Sequence, residues 1–208
     1  MLGIHDYWLF VATGVVLNLT PGQDTFYILG RSIAQGRRSG IAAALGIVSG
    51  CVVHTIAAAF GLSAILATSA SAFLVLKLAG AAYLVYLGIR MIMHPATIGP
   101  QPGAGSGDLW TAFRQGLLTN VLNPKVALFF LALMPQFIEP GSPTKVAAFL
   151  VLGATFLVTG AVWCLVLAIG ASGFRGFFAG RPAVIAAVSA GAGAFFIFLG
   201  LRLAASDR

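Results

Sequence analysis

Hydrophobic residues in this chain run in long blocks separated by short polar or charged stretches, without the alternation that marks a half-buried strand. A helix needs about 20 mostly apolar residues to cross a bilayer. Blocks over residues 7–29, 40–68, 73–93, 109–138, 145–174 and 182–203 reach that length and predict six transmembrane helices. Proline interrupts two of them. The first break reads Asn-Leu-Thr-Pro-Gly-Gln-Asp over residues 18–24, and the second reads Asn-Val-Leu-Asn-Pro-Lys over residues 120–125. Proline inside a helix removes a backbone hydrogen bond and clashes with the preceding turn. At membrane depth such a defect survives only where protein or a water-filled cavity satisfies the freed carbonyls.

The breaks fall in the first block of each half, which sets Pro21 against Pro124. Three blocks per half is an odd number, so two related halves would cross the membrane in opposite senses. Inverted repeats with broken helices near the midplane are a transporter plan. The expected fold is therefore an all-α membrane protein of six transmembrane helices, built as two inverted three-helix halves. Residues 1–93 form the first half and residues 109–208 the second. Residues 94–108, rich in Pro, Gly and Ser, form a flexible linker.

Composition supports the membrane class. Of the 208 residues, 59% are hydrophobic and 8% charged, against roughly 25% charged in soluble domains. The net charge of +7 comes from bases standing singly or in short clusters between blocks. They read as topology signals facing anionic membrane lipid, with no face large enough to bind nucleic acid. Arg31, Arg37, Arg38, Arg90, Arg114, Arg175 and Arg181 flank three loops that share one side. The positive-inside rule puts those loops in the cytoplasm of a multi-pass bacterial inner-membrane protein, with both termini outside. Lys77 and Lys145 fall near the outer loops, and Arg202 and Arg208 in the tail. Met1 to Trp8 lacks Lys and Arg and carries Asp6, so the first block is expected to be retained rather than cleaved as a signal peptide. Cys51 and Cys164 read as small packing residues, and no metal-ligand spacing, nucleophile motif or phosphate loop appears. Neither metal nor cofactor is expected, and the chain does not read as an enzyme.

Asp24 is the only acid well inside an apolar block. A carboxylate there costs several kcal/mol by the more modest insertion scales, roughly 2.5–3.5, and marks a functional candidate. It reads as a site for a substrate ammonium or for a proton. Lys125 is the counterpart in the second half. It pairs with Asp24, or it holds a carboxylate beside the half-helix that starts after Pro124. Asn18, Thr20, Gln23, Asn120 and Asn123 surround the breaks as donors and acceptors for a zwitterion, with Thr20 and Asn123 expected to satisfy freed backbone groups. Pro21, Gly22 and Pro124 shape the breaks. His54 is a candidate proton relay and equally a packing histidine. Gly46 and Gly50 form a G-x-x-x-G pair, and Gly191 and Gly193 lie among alanines. Such faces let helices approach closely, within one subunit first, and they permit a homodimer without requiring one.

The run from Leu17 to Ser32 (Leu-Asn-Leu-Thr-Pro-Gly-Gln-Asp-Thr-Phe-Tyr-Ile-Leu-Gly-Arg-Ser), with Gly36-Arg-Arg-Ser-Gly-Ile and Ala44-Leu-Gly-Ile-Val-Ser-Gly, resembles the LysE/RhtB family of amino-acid exporters. So do the runs from Lys77 (Lys-Leu-Ala-Gly-Ala-Ala-Tyr-Leu-Val-Tyr-Leu-Gly) and from Phe113 to Phe130, which contains Asn-Pro-Lys. The similarity covers nearly the whole chain. Where the family carries a second proline after Gly22, this chain has Gln23, so identical substrate geometry does not follow. The resemblance implies an inner-membrane exporter of amino acids or close derivatives such as homoserine, homoserine lactone, threonine or lysine, driven by the proton gradient. It implies Asp24 as cation or proton site, completed by Lys125 and the asparagines near Pro124. With one buried acid, a neutral zwitterion of the threonine or homoserine kind is favoured over a dibasic substrate. The competing readings are an exporter of a metal cation or other small solute, which would need clustered ligands, and a non-transporting membrane partner protein, which would have little use for a mid-membrane acid and base.

Overall fold

The computed structural model of the chain describes residues 2–63, 70–94, 108–178 and 181–205. The linker expected over residues 94–108 lies, apart from its two end residues, outside the described residues. So do Thr68, at the end of the second block, and Arg208 in the tail. Eight α-helices are described: α1 (Tyr7–Leu19), α2 (Gln23–Gln35), α3 (Arg37–Ala57), α4 (Ala70–Met93), α5 (Leu109–Val121), α6 (Pro124–Leu128), α7 (Lys145–Phe178) and α8 (Pro182–Ala205). Helix α3 runs on through a π-helical turn at Ala58–Leu62. Helix α6 continues through a π-helical turn at Phe129–Leu133 and a 3-10 turn at Met134–Phe137.

Both expected breaks are present, as helix ends rather than kinks inside a helix. The residue before a proline is pushed out of the helical region by the ring. Thr20, before Pro21, has ψ 117°, and Asn123, before Pro124, has ψ 108°. After the first break Gly22 caps α2. After the second, Pro124 is the first residue of α6, where its missing N–H costs nothing. Asp24 therefore sits in the first turn of α2.

By length and composition α3 with its π turn (Arg37–Leu62) and most of α7 (Lys145–Ala171) are apolar enough to cross a membrane. The pair Leu109–Val121 and Pro124–Phe137, bent by 46°, reaches the same length and apolarity when taken together. Tyr7–Leu19 and Ser189–Ala205 are shorter apolar helices. The chain is thus an all-helical membrane protein among its described residues. Val158, Val162 and Ile169 on α7 are exposed, as lipid-facing residues are.

Glycines set the closest helix contacts. A Cβ on Gly46 would strike the Phe113 carbonyl of α5, and one on Gly116 would strike the Ala43 carbonyl of α3. The G-x-x-x-G pair is therefore used within the subunit, between α3 and α5. Gly88 of α4 and Gly193 of α8 likewise meet each other's carbonyls, while Gly191 has open space around it. Gly36, at φ 84°, joins α2 to α3 in a conformation that favours glycine.

Two buried clusters form. One gathers Phe10, Phe129, Phe130, Phe149, Phe156 and neighbours. The other gathers Ile28, Ala43, Ala44, Ile47, Cys164 and Leu167 around α2, α3 and α7. The Ile4–Ile138 bridge, with His5 N donating to Phe137 O at 3.0 Å and Glu139 N to Gly3 O at 2.8 Å, ties the N-terminal segment to the loop after α6.

One basic residue differs from expectation. Arg31, expected in the first loop, is buried in α2; Lys77 is buried in α4. A charge read from sequence suggests a solvated loop, but α2 extends the helix to Gln35 and carries Arg31 into the bundle.

Candidate functional site

The first break places two opposed helix ends side by side. The carbonyls at the C-terminus of α1 carry partial negative charge, and the amides at the N-terminus of α2 carry partial positive charge. Each end has drawn an ionisable side chain of the complementary sign. Asp24 lies in the first turn of α2. Lys125 reaches across from α6, and its Nζ donates to the carbonyls of Leu17 at 3.2 Å and Thr20 at 3.1 Å. Gly22 lets the ammonium come close: a Cβ there would stand 3.2 Å from Lys125 Nζ.

Asp24 and Lys125 form no ion pair; among the described residues the acid takes its hydrogen bond from Asn120, whose Nδ2 donates to Asp24 Oδ2 at 2.9 Å. The direct Asp24–Lys125 pairing is thus absent, since each charge is already matched by a neutral partner. Asn120 is fully buried and joins three elements. Its backbone carbonyl accepts from His54 Nε2 at 3.1 Å, and a Cβ on Gly50 would fall 2.6 Å from its Oδ1.

Both charges line one cavity, with about 490 Å³ of empty space counting the part open to the outside. It lies at the seam of the two buried clusters, with Leu17, Cys51, Val126 and Phe156 from one and Ile28, Ile47, Cys164 and Leu167 from the other. Two buried acceptors, Asp24 Oδ1 and Asn120 Oδ1, have no hydrogen-bond partner. Orphaned buried acceptors are rare and costly, and two beside a cavity suit an incoming donor with several N–H groups. The Lys125 ammonium has three N–H groups, of which two are engaged by the carbonyls.

The structure divides the other sequence candidates. Asn18 lines the cavity and donates from Nδ2 to Thr159 Oγ1 at 3.4 Å. Thr20 is buried and spends its hydroxyl on Val16 O at 2.6 Å, and Asn123 caps α6 by accepting from Lys125 N at 3.0 Å. Both therefore satisfy backbone groups beside the breaks and lie off the cavity wall. Gln23 is exposed, and Pro124 faces outward. His54 also lies off the wall, stacked on Phe130 with ring centroids 5.6 Å apart.

Sequence reading missed a second polar cluster on the same helix. Tyr27 donates to Ala112 O at 2.9 Å, and Arg31 donates from Nε to the Tyr27 hydroxyl at 3.1 Å. Arg31 also bonds Gln35 and Gln115, and Ser39 donates to Gln35. The spacing Asp24, Tyr27, Arg31, Gln35 follows one face of α2, a signal that could have been seen. Thr25, Cys51 and Cys164 also line the cavity.

The LysE type translocator family model matches residues 15–207. The chain is 32% identical to an uncharacterized membrane protein of Pseudomonas aeruginosa, over 98% of this chain and 96% of that one. It is 31% identical to the homoserine/homoserine lactone efflux protein of Salmonella typhimurium, over 97% of each. An uncharacterized membrane protein of Vibrio cholerae is 34% identical over 77% of this chain and 78% of its own length. No solved structure matches.

Proposed function

This chain belongs to the LysE type translocator family, a family of membrane transporters rather than enzymes, and from that premise we propose that it exports amino acids or close derivatives by proton antiport. The favoured cargo is a neutral zwitterion of the size of threonine or homoserine, in keeping with the Salmonella relative, a homoserine/homoserine lactone efflux protein. The observation that carries the reading is the pair of orphaned acceptors, Asp24 Oδ1 and Asn120 Oδ1, on a cavity that Lys125 also lines. The cargo ammonium takes the two acceptors and its carboxylate takes the remaining N–H of Lys125. Protonation of Asp24 from the outer side removes the charge that holds the ammonium, releases cargo there, and is undone when the cavity reopens to the cytoplasm. His54 supports this indirectly by fixing the Asn120 backbone.

The proposed architecture keeps six crossings in two inverted halves, residues 1–93 and 109–208 joined by residues 94–108. The setting is the bacterial inner membrane with both termini outside. Two contacts support the crossing parity. The N-terminal segment bonds to the loop after α6, as ends separated by four crossings should. The end of α2 bonds to the start of α5, as ends separated by two crossings should. Asp24→Asn, inserted normally in proteoliposomes, should lose efflux and the accompanying proton uptake from the outer side. Efflux equal to the wild type would remove Asp24 from the mechanism, and efflux without proton movement would remove the antiport.

A further inference from the structure

The broken helices α1, α2, α5 and α6 supply most of the cavity's hydrogen-bonding side chains: Asn18, Asp24, Thr25, Asn120 and Lys125. Helices α3 and α7 line the rest of it. On α7 the lining residues Phe156, Leu157, Gly160, Ala161, Cys164 and Leu167 recur at helical spacing, an apolar stripe turned to the cavity. On α3 the stripe is Ile47, Val48 and Cys51. Apart from the Trp163 indole, which is a donor only, this wall carries nothing stronger than a thiol to meet a hydroxyl. Gly160 leaves room on it: a Cβ there would come within 3.4 Å of Asn18 Oδ1.

A cargo whose ammonium sits on Asp24 and Asn120, with its carboxylate on Lys125, directs its remaining bond away from the broken helices. We infer that the α3–α7 wall is the side-chain subsite and that it selects amino acids with an apolar side chain over their hydroxylated isosteres. This rests on the transport reading above and narrows its substrate class. A hydroxyl buried against such a wall loses its water and gains from the wall no acceptor stronger than a thiol. An apolar pocket discriminates against an added hydroxyl by up to about 100-fold, so a preference of about 10- to 100-fold is expected.

Two isosteric pairs test it directly: valine against threonine, and norvaline against homoserine. In proteoliposomes of the full chain, the apolar member of each pair should be exported with the higher kcat/KM by that factor. Threonine or homoserine exported as well as or better than its apolar isostere overturns the subsite while leaving the transport reading intact. Export of none of the four overturns both. Cys164→Ser and Val48→Thr place a hydroxyl on the wall at nearly unchanged size. Each should move the ratio toward the hydroxylated member by about tenfold, which is a fraction of the selectivity such a wall can supply; a ratio unmoved in both variants overturns the assignment of the wall.

Discussion

Gly50→Ala is the smallest change that reaches the centre of the site without touching a charged group. The added methyl would lie 2.6 Å from Asn120 Oδ1, 2.7 Å from its Cβ and 3.0 Å from its Cγ. The first two contacts are closer than Cβ atoms tolerate and the third is tight, and the Asn120 Cβ cannot swing away because α5 is held against α3 at Gly46 and Gly116. Overpacking of this kind costs about 1–3 kcal/mol. If Asn120 yields instead, its 2.9 Å bond to Asp24 is lost, and a hydrogen bond to a charged group is worth about 1.5–3 kcal/mol. These are alternative routes of relaxation, so the expected loss is about 2–3 kcal/mol rather than their sum. It should appear as a fall in melting temperature of purified protein, on the order of 2–4 °C per kcal/mol for a chain of this length. Efflux should fall with it, chiefly through a raised KM, because the proposed ammonium seat includes Asn120. Gly61→Ala and Gly191→Ala are the controls: each position has nothing within 4 Å of an added Cβ, so neither should lower stability or efflux. Gly50→Ala with an unchanged melting temperature and unchanged KM would refute the placement of Asn120 against α3.

Three further outcomes follow from the same geometry. Arg31→Lys keeps a charge but loses the planar fork that bonds Tyr27, Gln35 and Gln115; stability measured by thermal unfolding should fall by about 1.5–3 kcal/mol, the worth of one hydrogen bond to a charged group. Thr20→Val removes the bond to Val16 O and should cost about 0.5–1.5 kcal/mol while leaving KM for export unchanged, since its side chain lies off the cavity. Asp108 caps α5, and its carboxyl is held below the usual range, first by the Thr111 hydroxyl and then by the backbone amides of Thr111 and Trp110. A depressed folded-state pKa gives stability that is present above the unfolded value of about 3.9 and is lost as pH falls through the lower folded value, so Asp108→Ala should lower the neutral plateau of a pH–stability curve and flatten its acid limb, leaving the acid end unchanged.

What could be read from the sequence was what obeys local rules. Proline constrains its preceding residue wherever it stands, so the ends of α1 and α5 were visible at Thr20 and Asn123 before any fold was known. A single mid-block acid and a mid-block lysine were visible for the same reason: hydropathy makes them expensive. Their partners were not visible, because each lies on a distant element. Lys125 answers carbonyls 105 and 108 residues earlier in the chain, and backbone carbonyls leave no trace in residue type, so residue types alone offered only Asp24 or a cargo carboxylate as its partner. Arg31 went astray by the same logic. Its position among other arginines marked it as a loop charge, while Gln115, 84 residues away, draws it into the bundle. The apolar wall was hidden by chemistry rather than distance. Phe156, Gly160 and Cys164 face the cavity and Val158 and Val162 face outward, yet on a helix apolar all round no moment separates the two sides. In lipid the outer face of a transporter and the lining of an apolar subsite obey the same composition rule. Only the positions of the neighbouring breaks decide which stripe faces the cavity. That is why the charged half of this cavity could be named residue by residue from sequence, and why the half proposed to choose between valine and threonine could not.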